Sequence, residues 1–438
     1  MRALLTAVLS GLLVSGASAV LIPYDDAKPI LEANAKSISA ADWPAWAAKR
    51  NAEIRARLAQ GDEDSVVNLW LYGTSFTKRP RVTDREAARL GTPEAIQDLL
   101  LARLDDFVAA LAKPGTNERL EFARDLVARP GIDLATAAGR EKAEEYLVTV
   151  RERTIAEHQR FAREAASPSA FPTLYSDRGL STDTRLTASF AIDKALAALA
   201  QSGWAAGGIT RVGIVGPGLD FTDKAEGYDF YPPQTIQPFA VADSLARFRM
   251  ASLAELAITT LDLSPRVNRH LVSARRRALL NSPYVIQLPL AKDQPSHEWH
   301  PDLVAYWQRF GSMVGKSVPA MPPPAIAGDV RVRAISIRPS IVKAMTPEDV
   351  DIIVERLALR DEDRFDLIVA TNILVYYDAF EQSLALANVA TMLRPGGLFL
   401  TNYAVTPLPS MEAAPGLTTS VFFDKQQNGD TIYVYRRR

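Results

Sequence analysis

The sequence predicts an α/β protein: a mainly α-helical N-terminal region, then a mostly parallel, doubly wound sheet that ends in an antiparallel hairpin. Three observations carry that reading. From residue 211 onward the apolar pattern changes from a helical period to short β-branched runs separated by helical ones, and such alternation builds a parallel sheet with helices on both faces. The first run, Val212–Val215, leads straight into a Gly216-Pro217-Gly218 turn. The last two, Thr418–Phe423 and Thr431–Tyr435, are separated only by turn residues, which closes a hairpin at a sheet edge.

The elements justify themselves in order. Met1-Arg2 followed by the apolar stretch Ala3–Gly16 and the small-x-small triplet Ala17-Ser18-Ala19 has the make-up of a signal peptide over residues 1–19. The stretch is shorter than the ~20 residues of a membrane span. The expectation is therefore export (periplasmic or secreted), with the mature chain starting near Val20 and carrying no membrane span. An uncleaved N-terminal anchor facing the cytoplasm is the alternative. Residues 20–166 form the helical region: apolar residues recur at i, i+3, i+4 and i+7 in 41–61, 92–115 and 139–166. Gly61 and Pro114-Gly115 are the expected stops. Residues 65–84 lack the helical period and predict a packed loop or short strand. A Pro/Ser/Thr/Asp-rich connector covers 167–187.

The second region, 188–438, opens with a helix at Ala188–Ser202 and continues through candidate strands Val212–Val215, Ala257–Leu261, Val330–Ile337, Phe365–Thr371 and Gly397–Tyr403. Two insertions interrupt it, at about 219–250 and 281–328; Pro319 and Pro322–Pro324 punctuate the second.

Composition narrows the function classes. With 50 Lys+Arg against 51 Asp+Glu the net charge is −1, so no nucleic-acid partner is expected. No cysteine is present, which removes disulfides, thiolate metal sites and cysteine nucleophiles together. His297 and His300 lack a third ligand, so no metal is expected. The basic run Arg269–Arg277 is a solvated helix face or a dock for an acidic partner.

The chemistry should lie at the carboxyl ends of the strands. Glycine at 216 and 218 lets backbone approach a ligand closely. The next strand ends at Asp262, where a carboxylate can accept from both hydroxyls of a ribose. Ser264-Pro265 then starts a helix. Between them, 219–250 is an insertion that could overhang the ligand crevice. Its residues Tyr228, Asp229, Tyr231 and Gln234 are candidates for an acceptor-recognition lid, or for a packed surface loop.

The strings Asp363–Asp378 (DRFDLIVATNILVYYD) and Leu386–Asn402 (LANVATMLRPGGLFLTN) resemble the fourth strand, fourth helix and fifth strand of the class I S-adenosylmethionine-dependent methyltransferases. In texture they are nearest to the chemotaxis-receptor members, whose fourth strand also ends in Asn. The terminal hairpin resembles that family's reversed seventh strand. Over about Ala188–Arg438 the resemblance implies a Rossmann-like methyltransferase sheet, S-adenosylmethionine as cofactor and an unidentified methyl acceptor, a small molecule or a protein side chain. It puts Gly216 and Gly218 at the methionine end of the cofactor, Asp262 on its ribose and Asn372 beneath the sulfonium. Tyr376, Tyr377 and Asp378 either shape the acceptor site or serve as core and helix cap. No catalytic residue is assigned. The family's usual acid two positions before the first glycine is Ile214 here, and its frequent third glycine is Asp220. Those departures leave a second reading open: an exported, catalytically inactive methyltransferase-like binding or scaffold protein.

Overall fold

The computed structural model describes residues 18–164, 175, 178–184, 186–204, 208–222, 226–292 and 298–438. The apolar N-terminal run, the first part of the connector and His297 lie outside the described residues. Among those described, no helix is long and apolar enough to cross a membrane.

A short strand, β1 (Ala19–Leu21), precedes six helices: α1 (Tyr24–Ala33), α2 (Trp43–Tyr72), α3 (Asp84–Leu90), α4 (Pro93–Ala112), α5 (Glu118–Ala128) and α6 (Ala137–Glu164). Their starts follow from capping chemistry. The side chains of Thr83, Thr92 and Asn117 accept backbone N–H groups of the first turns of α3, α4 and α5, which satisfies otherwise orphaned donors. Helix α2 runs through Gly61, the expected stop, and on to Tyr72. Glycine stands there for closeness instead: a Cβ would overlap the carbonyl oxygen of Leu180 in the connector. The run from Ser65 is accordingly helical, and the loop begins only at Gly73.

After α7 (Leu186–Ser202) come β2 (Arg211–Val215), α8 (Gln237–Arg247), β3 (Ala257–Leu261), α9 (Pro265–Leu279), β4 (Tyr284–Ala291), α10 (Pro301–Arg309), β5 (Gly315–Val318), β6 (Val330–Ile337), α11 (Pro339–Lys343), β7 (Met345–Glu348), β8 (Glu355–Leu357), β9 (Phe365–Ala370), α12 (Ala379–Met392), β10 (Leu393–Thr401), β11 (Met411–Ala413), β12 (Thr419–Phe422) and β13 (Gly429–Arg437). The main sheet has the order β11-β13-β10-β9-β2-β3-β7, with β12 also paired to β13. Strands β10, β9, β2, β3 and β7 are parallel; β13 is antiparallel to β10, to β11 and to β12. The chain order thus reverses between β3 and β9, on either side of β2, and in such sheets ligands bind at that switch point. The reversed strand β13 pairs with β12 as the expected antiparallel C-terminal hairpin. Apolar layers cover both faces, one containing α7, α8 and α9, the other α1, the start of α2 and α12.

Two strands differ from the sequence expectation. Val330–Ile337 is β6, the centre of a separate antiparallel sheet ordered β4-β6-β5. Its arginines at 331 and 333 lie over the Trp307 ring, on the strand face that Ile335 and Ile337 bury. The third parallel strand is β7, whose Met-Thr-Pro-Glu sequence has no β-branched run to announce it. In the first insertion, 237–247 is the ordinary crossover helix α8, so only the loop before it is additional.

Candidate functional site

A cleft opens where β2, β3 and β9 end. The space it takes up, open mouth and solvent included, is about 730 Å3. Gly216, Gly218, Asp262 and Asn372 all line it, and so do Tyr376 and Tyr377.

The backbone explains the glycines. Gly216 and Gly218 have φ of 62° and 69°, a left-handed region that costs other residues ~1–2 kcal/mol. Space is short as well: a Cβ on Gly218 would stand 2.7 Å from the Thr182 carbonyl oxygen, and one on Gly216 would overlap the Ile373 side chain. Asn372, at φ 60°, takes the same conformation as one of the few side-chain-bearing residues that tolerates it.

Asp262 sits at the tip of β3, 7% exposed. Its carboxylate accepts the Ser264 N–H at 2.8 Å and the Gly218 N–H. Burial nonetheless pushes its pKa up to about 7, against those two bonds and the nearby Arg266. Leu58, Leu263, Val350 and Ile352 supply apolar walls. Tyr376 is fixed by its hydroxyl, which accepts the Ser181 N–H, and Tyr377 lies beneath the Arg57 guanidinium, 5.8 Å from the ring centre. Burial raises both phenols, Tyr377 the further. Asp378 caps α12 through a reciprocal box with Glu381.

Sequence reasoning missed three parts of the site. Residues 178–184 form a strap over the cleft: Leu180 N–H donates to Arg57 O, and Leu219 N–H, just past the glycine turn, donates to Thr182 O at 2.8 Å. Gln237, first residue of α8, reaches the cleft and donates to Thr371 Oγ1 at 2.6 Å. At the rim, Asn402 from the end of β10 bonds reciprocally with Asn372, its side-chain oxygen taking the Asn372 N–H and its amide donating to Asn372 Oδ1, both at 2.8 Å. The same amide reaches the Asp430 carboxylate at the start of β13. Only Asn402 carried a signal, as a polar residue ending an apolar strand.

The lid candidates are corrected. Tyr228, Asp229, Tyr231 and Gln234 are each 2% exposed and do not line the cleft. Asp229 accepts the N–H and hydroxyl of both Thr74 and Ser75, which follow α2. Tyr231 Oη and Gln234 Nε2 both donate to Asp220 Oδ2 at 2.9 Å. Tyr228 lies under the Arg81 guanidinium. An aromatic, acidic loop read as a lid is instead the mortar between the helical region and the sheet, because Arg119 of α5 bonds the carbonyls of Phe221 and Tyr231 from below. His300 caps α10.

No family model and no curated protein matches this chain. Solved structures do match. They include the N-methyltransferase NodS from Bradyrhizobium japonicum WM9 in complex with S-adenosylhomocysteine (14% identity, 64% of this chain, 98% of that one, TM-score 0.28). Magnesium protoporphyrin IX methyltransferase from Synechocystis PCC 6803 with bound S-adenosylmethionine is another (10%, 58% and 82%, TM-score 0.25). The mitomycin 7-O-methyltransferase MmcR spans more (12%, 91% and 99%, TM-score 0.29). All three lie at 14% identity or below, so the functional reading is built from this chain's own cleft.

Proposed function

We propose that this chain binds S-adenosylmethionine across the carboxyl edge of its sheet and directs the methyl group to an acceptor docked beside Asn372. One observation carries the reading: a single cleft gathers residues from three strand tips, among them a buried carboxylate at the end of the strand next to the glycine turn. The lining fits the cofactor part by part. Leu58, Leu263, Val350 and Ile352 suit a flat base, and Asp262 can accept from a ribose diol. The turn at Gly216–Gly218 brings backbone close to the remainder. Bound there, the sulfonium would supply an electrophilic methyl that needs in-line approach by an acceptor lone pair.

The chain's own residues then do positional work. Asp262 orients the sugar, Tyr376 and Tyr377 wall the cleft, and the Asn372–Asn402 pair sets the floor at the acceptor side. An oxygen, nitrogen or carboxylate acceptor is compatible; the chemotaxis-receptor texture of the fourth strand does not choose among them. Calorimetric titration of the full chain with S-adenosylmethionine and S-adenosylhomocysteine is the test. One site per chain is expected, and absence of any heat of binding at millimolar ligand sinks the reading.

A second reading keeps the fold and drops the reaction. It is favoured by the crowding over the turn, where Ile373 stands on Gly216 and the strap on Gly218. A cleft that binds S-adenosylhomocysteine, with no methyl transferred to any fraction of a host extract, would favour it. Export after cleavage at Ala19 remains our proposal for the N-terminus; N-terminal sequencing from the native host that finds Met1 would overturn it.

A further inference from the structure

We propose that Asp183, carried by the strap and not by the sheet, is the anion that holds the cationic amino end of the ligand. The inference rests on the methyl-donor reading and supplies the negative charge that its glycine turn lacks. Position 214, where an acid is usual, holds Ile214, fully buried in the core. The turn itself therefore offers no carboxylate.

The remaining polar side chains of the cleft are mostly spoken for. Asp262 takes two backbone N–H groups, Asn372 is paired with Asn402, and Thr371 Oγ1 accepts from Gln237. Two buried oxygens are left without a hydrogen-bond partner, Asp183 Oδ1 and Gln237 Oε1, and both residues line the cleft. Gln237 is 2% exposed. Both atoms are pure acceptors. No lysine or arginine is among the lining residues described, so no described residue answers them with a hydrogen bond. Leaving a buried carboxylate oxygen unanswered is costly, and an ammonium group, with three donors and a positive charge, is the group that answers such an acceptor.

The strap holds Asp183 in place before any ligand arrives. Its Oδ2 accepts from Ser65 Oγ at 2.9 Å. Thr182 is pinned on both sides, its carbonyl by Leu219 N–H and its hydroxyl by Arg266 Nη2 at 2.5 Å.

The experiment compares two probes on the full chain by calorimetry: S-adenosylhomocysteine, and 5′-methylthioadenosine, which keeps the base, sugar and thioether but has no amino-acid end. Asp183→Asn preserves size and the bond to Ser65 while removing the charge. It is expected to weaken S-adenosylhomocysteine about 10- to 100-fold, as loss of a charge-assisted bond does, and to leave 5′-methylthioadenosine within about twofold. Equal loss for both probes, or no loss for either, overturns the proposal. Ser65→Ala keeps the carboxylate and is expected to bind both probes nearly as the parent does; if it reproduces the Asp183→Asn pattern, strap placement is responsible and the proposal falls. Should the parent chain bind neither probe, the methyl-donor reading fails first and takes this inference with it.

Discussion

Two sets of polar residues in this molecule looked alike in the sequence and ended in opposite places. Gly216, Gly218, Asp262 and Asn372 close strands, and the structure brings them around one cleft. Tyr228, Asp229, Tyr231 and Gln234 belong to one loop, and each is consumed by internal bonds or packing. Residue type does not separate the sets. What separates them is whether backbone geometry leaves the group facing open space: a strand tip at a topological switch must do so, whereas a loop packed against a neighbouring helix layer must bury its polar atoms with partners.

That contrast can be broken by mutation. The largest effect is expected from Asp262→Ala, which removes the carboxylate proposed to bond the ligand's sugar. At ~1.5–3 kcal/mol per bond to a charged group, S-adenosylhomocysteine should bind about 100-fold more weakly or worse. An unchanged affinity by calorimetry would remove Asp262 from the site. Asp229→Ala should do the reverse. It strands four donors at Thr74 and Ser75, for a loss of about 3 kcal/mol in stability, visible in urea melts, with ligand affinity retained at temperatures where the chain is folded. If affinity falls while stability holds, the loop belongs to the site after all. Gly61→Ala sharpens the comparison at the strap. In a free helix alanine is favoured over glycine by ~1 kcal/mol, but here the methyl would overlap Leu180 O. The sign should invert, with a net loss of about 1–3 kcal/mol.

The last expected effect is a pH slope. Burial raises both Asp262 and Asp351 to about 7, so between pH ~4 and ~7 the folded chain keeps protons that the unfolded chain has released. Stability from these groups is then complete below about pH 4 and declines as pH climbs through 7. Asp351→Asn, which does not itself line the cleft although Val350 and Ile352 on either side do, should flatten that decline in melting temperature; an identical slope would show that Asp351 does not titrate there. Ligand affinity should move the other way, rising as Asp262 ionises.

Much of the sheet was legible because buried parallel strands such as Phe365–Ala370, buried at every position, are written as continuous apolar runs. Strand β7 was not, since an edge strand of four residues needs no such run. Gly61 misled for a related reason. Glycine marks a helix end in isolation, but it marks a close crossing when another backbone arrives from more than a hundred residues downstream, and sequence alone does not show that arrival. Asp183 and Gln237 were invisible on the same account: their place in the cleft depends on how the strap and α8 dock.

The strap also changes how the chain can be divided. By composition, residues 167–187 invite a cut that would free the α/β part for separate study. Because Thr182 shares a hydrogen bond with the glycine turn and Leu58 of α2 forms one wall, such a fragment would keep its sheet yet arrive with half a pocket. Failure of that fragment to take up nucleoside would say nothing about the intact protein, whose two regions meet inside the candidate cleft and not merely beside it.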